Sequence, residues 1–292
     1  MSHKAGFVSI IGNPNAGKST LLNTILGENL LAVSPKAQTT RHRIHGILNA
    51  KDYQIVFVDT PGIVNPHNKL HEAMLSAVES TLADSDVFVL ISPLGEDFKN
   101  VEILEKIRKT GKPIILLLNK IDLSNQDEIA EKIEHWKNEL PTAEILPVSA
   151  LHNFGLDGLL SNVLKHLPEH PEYYPKDEVS DRDTRFFIKE IIRQKILMYY
   201  KKEIPYSVEV AIESYEEGEK LDKISAIIYV ERESQKGIII GHQGVALKRI
   251  GTEARRSIEN FLHKKIFLGL QVKVLKNWRD DDKILSRFGY GV

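Results

Sequence analysis

Nine residues near the N-terminus, Gly12-Asn13-Pro14-Asn15-Ala16-Gly17-Lys18-Ser19-Thr20, have the types and spacing to grip a row of phosphates. They fit the pattern Gly, four residues, Gly-Lys-Ser/Thr. In such a loop the glycines let backbone N–H groups turn inward around phosphate oxygens, and the start of the following helix adds a favourable dipole. Lys18 can reach the outer phosphates, and the Ser19 hydroxyl can sit on Mg²⁺. Further on comes Asp59-Thr60-Pro61-Gly62. Asp59 can hold the same ion through water, and the Gly62 N–H can meet a γ-phosphate. A solitary Asp-x-x-Gly is usually only a turn. At the end of a second buried strand behind a phosphate loop it gains weight, because open α/β sheets keep their ligands at that edge. Thr39-Thr40 falls between the two motifs, in the polar, aperiodic stretch Ser34–Arg43. A threonine hydroxyl there can complete Mg²⁺ coordination when a γ-phosphate is present, although two loop threonines by themselves are more often just loop.

Asn119-Lys120-Ile121-Asp122 carries the most information about the base. Guanine shows a ring N1–H and an exocyclic amine that one carboxylate can accept together, and Asp122 can do that. Adenine has no matching donor pair. The Asn119 side chain can meet the other edge of the base and brace the phosphate loop, and the Lys120 stem can lie over the purine ring. Ser149-Ala150 follows a later strand, and its backbone N–H groups can contact the guanine O6.

A different chemistry is written into the second half. Gly241-His242-Gln243-Gly244 is a Gly-x-x-Gly turn between a short and a longer helical stretch. Glycines so spaced let one backbone pack closely against another, here a nucleic-acid strand. Residues 236–276 carry nine Lys/Arg and two Glu. Lys248, Arg249, Arg255 and Arg256 are candidate phosphate contacts. On a helix positions 248, 255 and 256 fall roughly on one side, so only some of the four can face a bound strand.

The elements that must position these residues follow from periodicity. Strand-like apolar runs at 7–11, 44–48, 53–58, 86–91, 113–118 and 144–148 alternate with helical patterns through residue 167. That order, β-α-β-β-α-β-α-β-α-β-α, describes a mostly parallel, doubly wound α/β sheet covered on both faces. Residues 169–181 hold prolines, paired tyrosines and no periodicity, and read as a linker. The order from 182 onward, α-β-β-α-α-β, gives a smaller α+β domain ending in the charged stretch 275–292. The expected domains are therefore 1–168, a linker at 169–181, and 182–292. Length alone allows two cores.

Charge divides along the same line: residues 1–180 carry 17 Lys/Arg and 23 Asp/Glu, and residues 181–292 carry 22 and 17. The whole-chain net charge of −1 hides a basic second half. There is no cysteine, so disulfides and thiolate metal sites are excluded and a reducing compartment is consistent. The chain enters a strand almost at once, which leaves no room for a signal peptide, and no apolar run approaches membrane-spanning length.

Gly12–Ser19, Thr39-Thr40, Asp59-Thr60-Pro61-Gly62, Asn119-Lys120-Ile121-Asp122 and Ser149-Ala150 are similar, in order, to the signature motifs of translation-factor-class GTPases. With Gln38-Thr39-Thr40-Arg41 and a KH-like half around Gly241–Gly244, essentially the whole chain resembles the Era-like family of bacterial GTPases. The resemblance implies GTP/GDP and Mg²⁺ as ligands and a KH domain of the prokaryotic type. It also implies binding to the 3′ end of small-subunit ribosomal RNA and a role in maturing the small ribosomal subunit. It selects Thr40 over Thr39 as the Mg²⁺-binding hydroxyl. It suggests K⁺ beside the phosphates through Asn15, and so assigns Lys18, Asn15, Thr40 and Gly62 to the chemistry. A cytoplasmic monomer is expected, and family members occur peripherally at the inner face of the cytoplasmic membrane.

One position departs from Ras-like switches, which carry a water-orienting Gln where this chain has Ile63. Family relatives share the apolar residue, so hydrolysis needs other water-positioning groups and turnover should be slow. Two other readings compete. A P-loop ATPase or metabolic kinase is opposed by Asn119–Asp122, and a constitutive RNA-binding module with a purely structural first domain would show no nucleotide-dependent RNA affinity.

Overall fold

An uninterrupted apolar run such as Ile114-Ile115-Leu116-Leu117-Leu118 suits a parallel strand buried on both faces. The computed structural model describes residues 3–28, 30–98 and 100–291. Residues 1, 2, 29, 99 and 292, which the expected domain ranges include, lie outside the described residues. The chain forms two compact units, the first being 1–31, 40–67 and 71–181, and the second 32–39, 68–70 and 182–292.

The first unit follows the expected element order: β1 (Lys4–Gly12), α1 (Lys18–Leu26), β2 (Ile44–Asn49), β3 (Tyr53–Asp59), α2 (Lys69–Asp84), β4 (Val87–Pro93), α3 (Val101–Lys109), β5 (Ile114–Asn119), α4 (Gln126–Glu139), β6 (Glu144–Pro147) and α5 (Leu156–His166). The sheet order is β2-β3-β1-β4-β5-β6. Among the described residues of this sheet only β2 runs antiparallel, joined to β3 by the hairpin expected at 49–52. Ile11, Phe88, Leu90, Leu116 and Leu118 form one core with Val78 of α2, Ile107 of α3 and Trp136 of α4. The parallel strands therefore deliver their C-terminal ends, and the loops that follow, to a single edge.

The stretch read as a linker is laid along β2. Gly46 and Ser180 form an antiparallel bridge, and the Ile47 N–H donates to the Val179 carbonyl at 2.9 Å. Gln54 accepts from the N–H groups of Tyr173 and Tyr174 at 2.7 and 3.0 Å.

In the second unit α6 (Thr184–Tyr199), β7 (Glu209–Glu216), β8 (Asp222–Val230), α7 (Glu233–Ile240), α8 (Val245–Leu262) and β9 (Ile266–Val274) appear in the expected α-β-β-α-α-β order. β7 is antiparallel and β9 parallel to the central β8. Ile192, Ile196, Val210, Ile228, Ile239, Ile250, Ala254 and Ile258 fill the core. The charged end is not a tail. Trp278 is fully buried, with its indole N–H donating to the Ser207 carbonyl at 3.0 Å. A short α9 (Asp282–Arg287) follows, and the Tyr290 hydroxyl donates to Glu209 at 2.7 Å.

Candidate nucleotide site and nucleic-acid groove

β1 ends at Gly12 and α1 starts at Lys18, so the glycine loop is the strand-to-helix crossing itself. Gly17 caps α1 with φ +104, and a Cβ there would stand 2.3 Å from the Asn119 amide nitrogen. Only glycine serves that position. The Lys18 ammonium donates to the carbonyls of Gly12 and Asn13 at 3.1 and 3.0 Å. Burial lowers its pKa to about 8, with Asp59 pulling the other way.

Three oxygens from three segments meet beside it. Ser19 Oγ lies 2.9 Å from both Thr40 Oγ1 and Asp59 Oδ2, and Thr40 Oγ1 donates to Asp59 Oδ2 at 3.2 Å. Asp59 is fully buried, and its second oxygen, Oδ1, has no hydrogen-bond partner. Burial raises its pKa to about 6, and Lys18, Ser19 and Thr40 hold it from rising further. A buried carboxylate oxygen left unpaired is costly unless a ligand takes it. Hydroxyl and carboxylate oxygens are the donors a hard divalent cation such as Mg²⁺ selects. The hydroxyl of Thr39 points elsewhere, donating to the Lys36 carbonyl at 2.6 Å.

Thr60 donates to the Ile10 carbonyl at 2.8 Å, which fixes the start of the Asp59–Gly62 loop on β1. Ile63 follows into the apolar core beside Ile11 and Phe88. Its N–H donates to the Gly12 carbonyl at 3.5 Å, which holds Gly62 against the phosphate loop. Asn15 stands exposed on that loop with φ 62, and Asn13 donates to the Asp97 carbonyl at 2.8 Å.

The residues expected to read the base converge from the ends of β5 and β6. Asn119 donates to the Ala16 carbonyl at 2.8 Å and accepts from the Ala150 N–H at 3.0 Å, joining three loops. Lys120 takes the left-handed conformation, φ 65, which turns the chain so that Asp122 comes back over the edge. Two contacts here were not legible in the sequence. Ser149 donates its hydroxyl to Asp122 at 2.5 Å, and Thr24 of α1 donates to the Ala150 carbonyl at 2.9 Å. Both depend on loops distant in sequence, and no local pattern marks them.

In the second unit Gly241 (φ 71), Gln243 (φ 50) and Gly244 (φ 77) make the sharp turn between α7 and α8. A Cβ on Gly241 would come within 2.6 Å of Ala246. The basic residues divide around α8. Gly244, Lys248 and Arg255 line a groove of about 570 Å³ whose other wall is Phe267, Leu268 and Leu270 of β9. His242 and Arg249 lie on the opposite flank in a cavity of about 490 Å³, with the Arg249 guanidinium 4.4 Å from the Tyr199 ring centre. Arg256 is exposed and paired with Glu253 at 3.2 Å. Among the described residues no helix is long and apolar enough to cross a membrane.

Comparisons with known proteins match both halves of the chain. A family model described as 50S ribosome-binding GTPase matches residues 7–120, and one described as KH domain matches residues 203–279. GTPase Era of Syntrophus aciditrophicus is 46% identical over 291 residues, covering 98% of this chain and 95% of the relative. GTPase Era of Clostridium kluyveri is 45% identical, covering 98% and 99%. A crystal structure of Era with MgGDPNP and nucleotides 1506–1542 of 16S ribosomal RNA superposes with a TM-score of 0.95 at 36% identity, covering 99% of this chain and 100% of that one. An Aquifex aeolicus Era variant bound to GDP and AlF₄⁻ gives the same TM-score, identity and coverage.

Proposed function

The chain belongs to the Era family of GTPases, and from that premise we propose that it is a GTP-driven switch that binds the 3′ end of 16S ribosomal RNA and acts in assembling the small ribosomal subunit. The observation that carries the switch is the meeting of Ser19, Thr40 and Asp59 around a buried, unpaired carboxylate oxygen. Ser19, Thr40 and Asp59 are the residues that would hold Mg²⁺, which when bound offsets the charge gathering on the outer phosphates. Lys18 supplies a buried positive charge beside the same phosphates. Asp122, oriented by Ser149, accepts from the two donors of guanine. Ile63 sits in the core and orients no water. We therefore assign part of the electrostatic work to K⁺ held at Asn15, a role that predicts slower hydrolysis when Na⁺ replaces K⁺.

The RNA strand packs its backbone against Gly241–Gly244, with bases in the groove between α8 and β9. The solved Era complex with 16S ribosomal RNA supports this choice of partner. We keep residues 1–168 as the GTPase domain, 169–181 as the connecting stretch and 182–292 as the RNA-binding domain. The reading is of a cytoplasmic monomer, and association with the inner face of the membrane rests on the resemblance alone.

The test is the affinity for a 16S 3′-end oligonucleotide, measured with GDP and with GDPNP at one fixed salt concentration. A nucleotide-dependent difference is expected. Equal affinities would leave only constitutive RNA binding, and ATP competing as well as GTP would point to a kinase or ATPase instead.

A further inference from the structure

Each oxygen of the Asp122 carboxylate has a side chain beside it. Ser149 donates to Oδ1 at 2.5 Å. The imidazole Nε2 of His152 lies 3.8 Å from Oδ2. A tight loop brings the imidazole there. Ser149 and Phe154 form an antiparallel bridge, exchanging two backbone bonds of 3.1 and 3.0 Å. Four residues, Ala150-Leu151-His152-Asn153, close the turn between them. Asn153 takes the left-handed conformation, φ 53, and Gly155 follows at φ 78, where a Cβ would stand 2.8 Å from the Pro147 carbonyl oxygen. Thr24 of α1 holds the Ala150 carbonyl at 2.9 Å. The loop is thus closed at its base and anchored at its start. All of these residues belong to the first compact unit.

The geometry separates the two charge states of the ring. At 3.8 Å a neutral imidazole is outside hydrogen-bond reach of Oδ2 and leaves that oxygen to a ligand. A protonated imidazole is attracted to the carboxylate and offsets part of its charge. Histidine is the side-chain type that changes charge between about pH 5 and 8. On the adjoining elements, Lys120 in the loop of Asp122 and Asp157 in the first turn of α5 are of types that keep one charge over that range. Lys165 and His166, at the other end of α5, pair with Glu144 at 3.0 and 2.8 Å. Lys18 of α1 donates into the phosphate loop.

We propose that His152 is a positioning residue for base recognition: when its ring is charged it draws on Asp122 Oδ2, so the grip on guanine weakens as the solution turns acid. The inference rests on Asp122 reading guanine. Guanine offers that carboxylate two donors, and hypoxanthine, which lacks the exocyclic amine, offers one. Hydrogen bonds to an ionised acceptor are roughly twice as strong as neutral ones. A carboxylate partly neutralised by an imidazolium therefore loses more with guanine than with hypoxanthine. The His152 side chain is 61% exposed, so solvent screens the pair and the effect is a few-fold one.

The affinities of the full-length protein for GDP and for inosine diphosphate are measured at one ionic strength between about pH 5.5 and 7.5. The two nucleotides share ribose and phosphates, so Lys18 and Asp59 act alike on both and cancel in the ratio of affinities. The wild-type preference for GDP should fall about threefold on acidification. His152→Gln, which carries no charge, should keep the neutral-pH preference throughout. His152→Lys should show the lowered preference throughout, and it decides the matter if His152→Gln fails to fold by circular dichroism. A wild-type preference independent of pH, or the wild-type pH profile in the deciding variant, overturns the proposal. Asp122→Asn tests the premise separately: if its preference at neutral pH equals that of the wild type, Asp122 does not read the amine, and the reading on which the inference rests is overturned instead.

Discussion

Ser149 donates its hydroxyl hydrogen bond to Asp122 across 2.5 Å, so the carboxylate proposed to read the base is oriented before any base arrives. His152 approaches the other oxygen of the same carboxylate at 3.8 Å. Preorganisation of this kind turns a flexible acid into a reader of two donors.

Replacing Asp122 by Asn tests base choice. The amide presents one acceptor and one donor, so the guanine pair is half lost. GTP affinity should fall by at least about tenfold, one hydrogen bond to a charged group being worth roughly 1.5–3 kcal/mol. Xanthosine nucleotides, whose 2-oxo group wants a donor, should gain. Competition against labelled GDP reads both numbers, and undiminished GTP binding would remove Asp122 from the role.

The pH dependence of nucleotide binding carries the signature of two buried groups. Burial holds the Lys18 ammonium near a pKa of about 8, below its ordinary 10.5. Phosphates beside it restore the charge, so binding should take up a proton between pH 8 and 10.5. Asp59 runs the opposite way, its pKa raised by burial from 3.8 to about 6. A divalent cation needs it ionised, so binding of the Mg²⁺ complex should release a proton, and weaken, as the pH falls through about 6. For the protein without nucleotide the sign reverses. The folded state holds the Asp59 proton more tightly than the unfolded chain does, so this group adds stability as the pH drops from 6 towards 3.8. Calorimetry in buffers of different ionisation enthalpy measures the proton count, and a pH-independent count of zero would contradict both assignments.

Around the proposed RNA groove, Lys248 and Arg249 are neighbours in sequence but sit on different flanks of α8. Lys248→Ala should reduce the slope of log affinity against log salt by about 0.7, the single-strand value per phosphate contact. Arg249→Ala should leave that slope unchanged, since its guanidinium is stacked on Tyr199 outside the groove. Replacing Gly241 and Gly244 together by Asp should abolish binding while GTP hydrolysis continues. Salt titrations of the three proteins decide, and equal slopes for both single variants would move the groove.

Trp278 should prove a keystone of the second unit. It is fully buried and bonded to Ser207. Trp278→Ala should cost about 3–5 kcal/mol in chemical denaturation, the usual range for emptying such a site. The exposed Lys283, five residues later in the same charged end, should change stability by less than about 0.5 kcal/mol on substitution to Ala.

These residues also mark how far the sequence could be read. The buried strands announced themselves as unbroken apolar runs, and the loops that carry Gly12–Lys18, Asp59–Gly62 and Asn119–Asp122 each follow one of those runs. The charged end could not be read in that way. Its helix has six residues, too few for periodicity to show, and Trp278 is held by a carbonyl far away in sequence. The choice between Thr39 and Thr40 was equally hidden, because it depends on the path of an irregular loop that no periodicity marks.

β2 runs antiparallel to its neighbour and lies at the rim of the sheet, where residues 178–181 cover it. Unpaired strand rims invite other copies of a chain to add on. A fragment cut at residue 168, where the helical pattern ends, would carry a bare rim and should polymerise or precipitate on concentration. One cut at 181 would bring its own cover and stay dispersed. The proline-rich stretch thus acts as a seam binding over the backbone rim of β2.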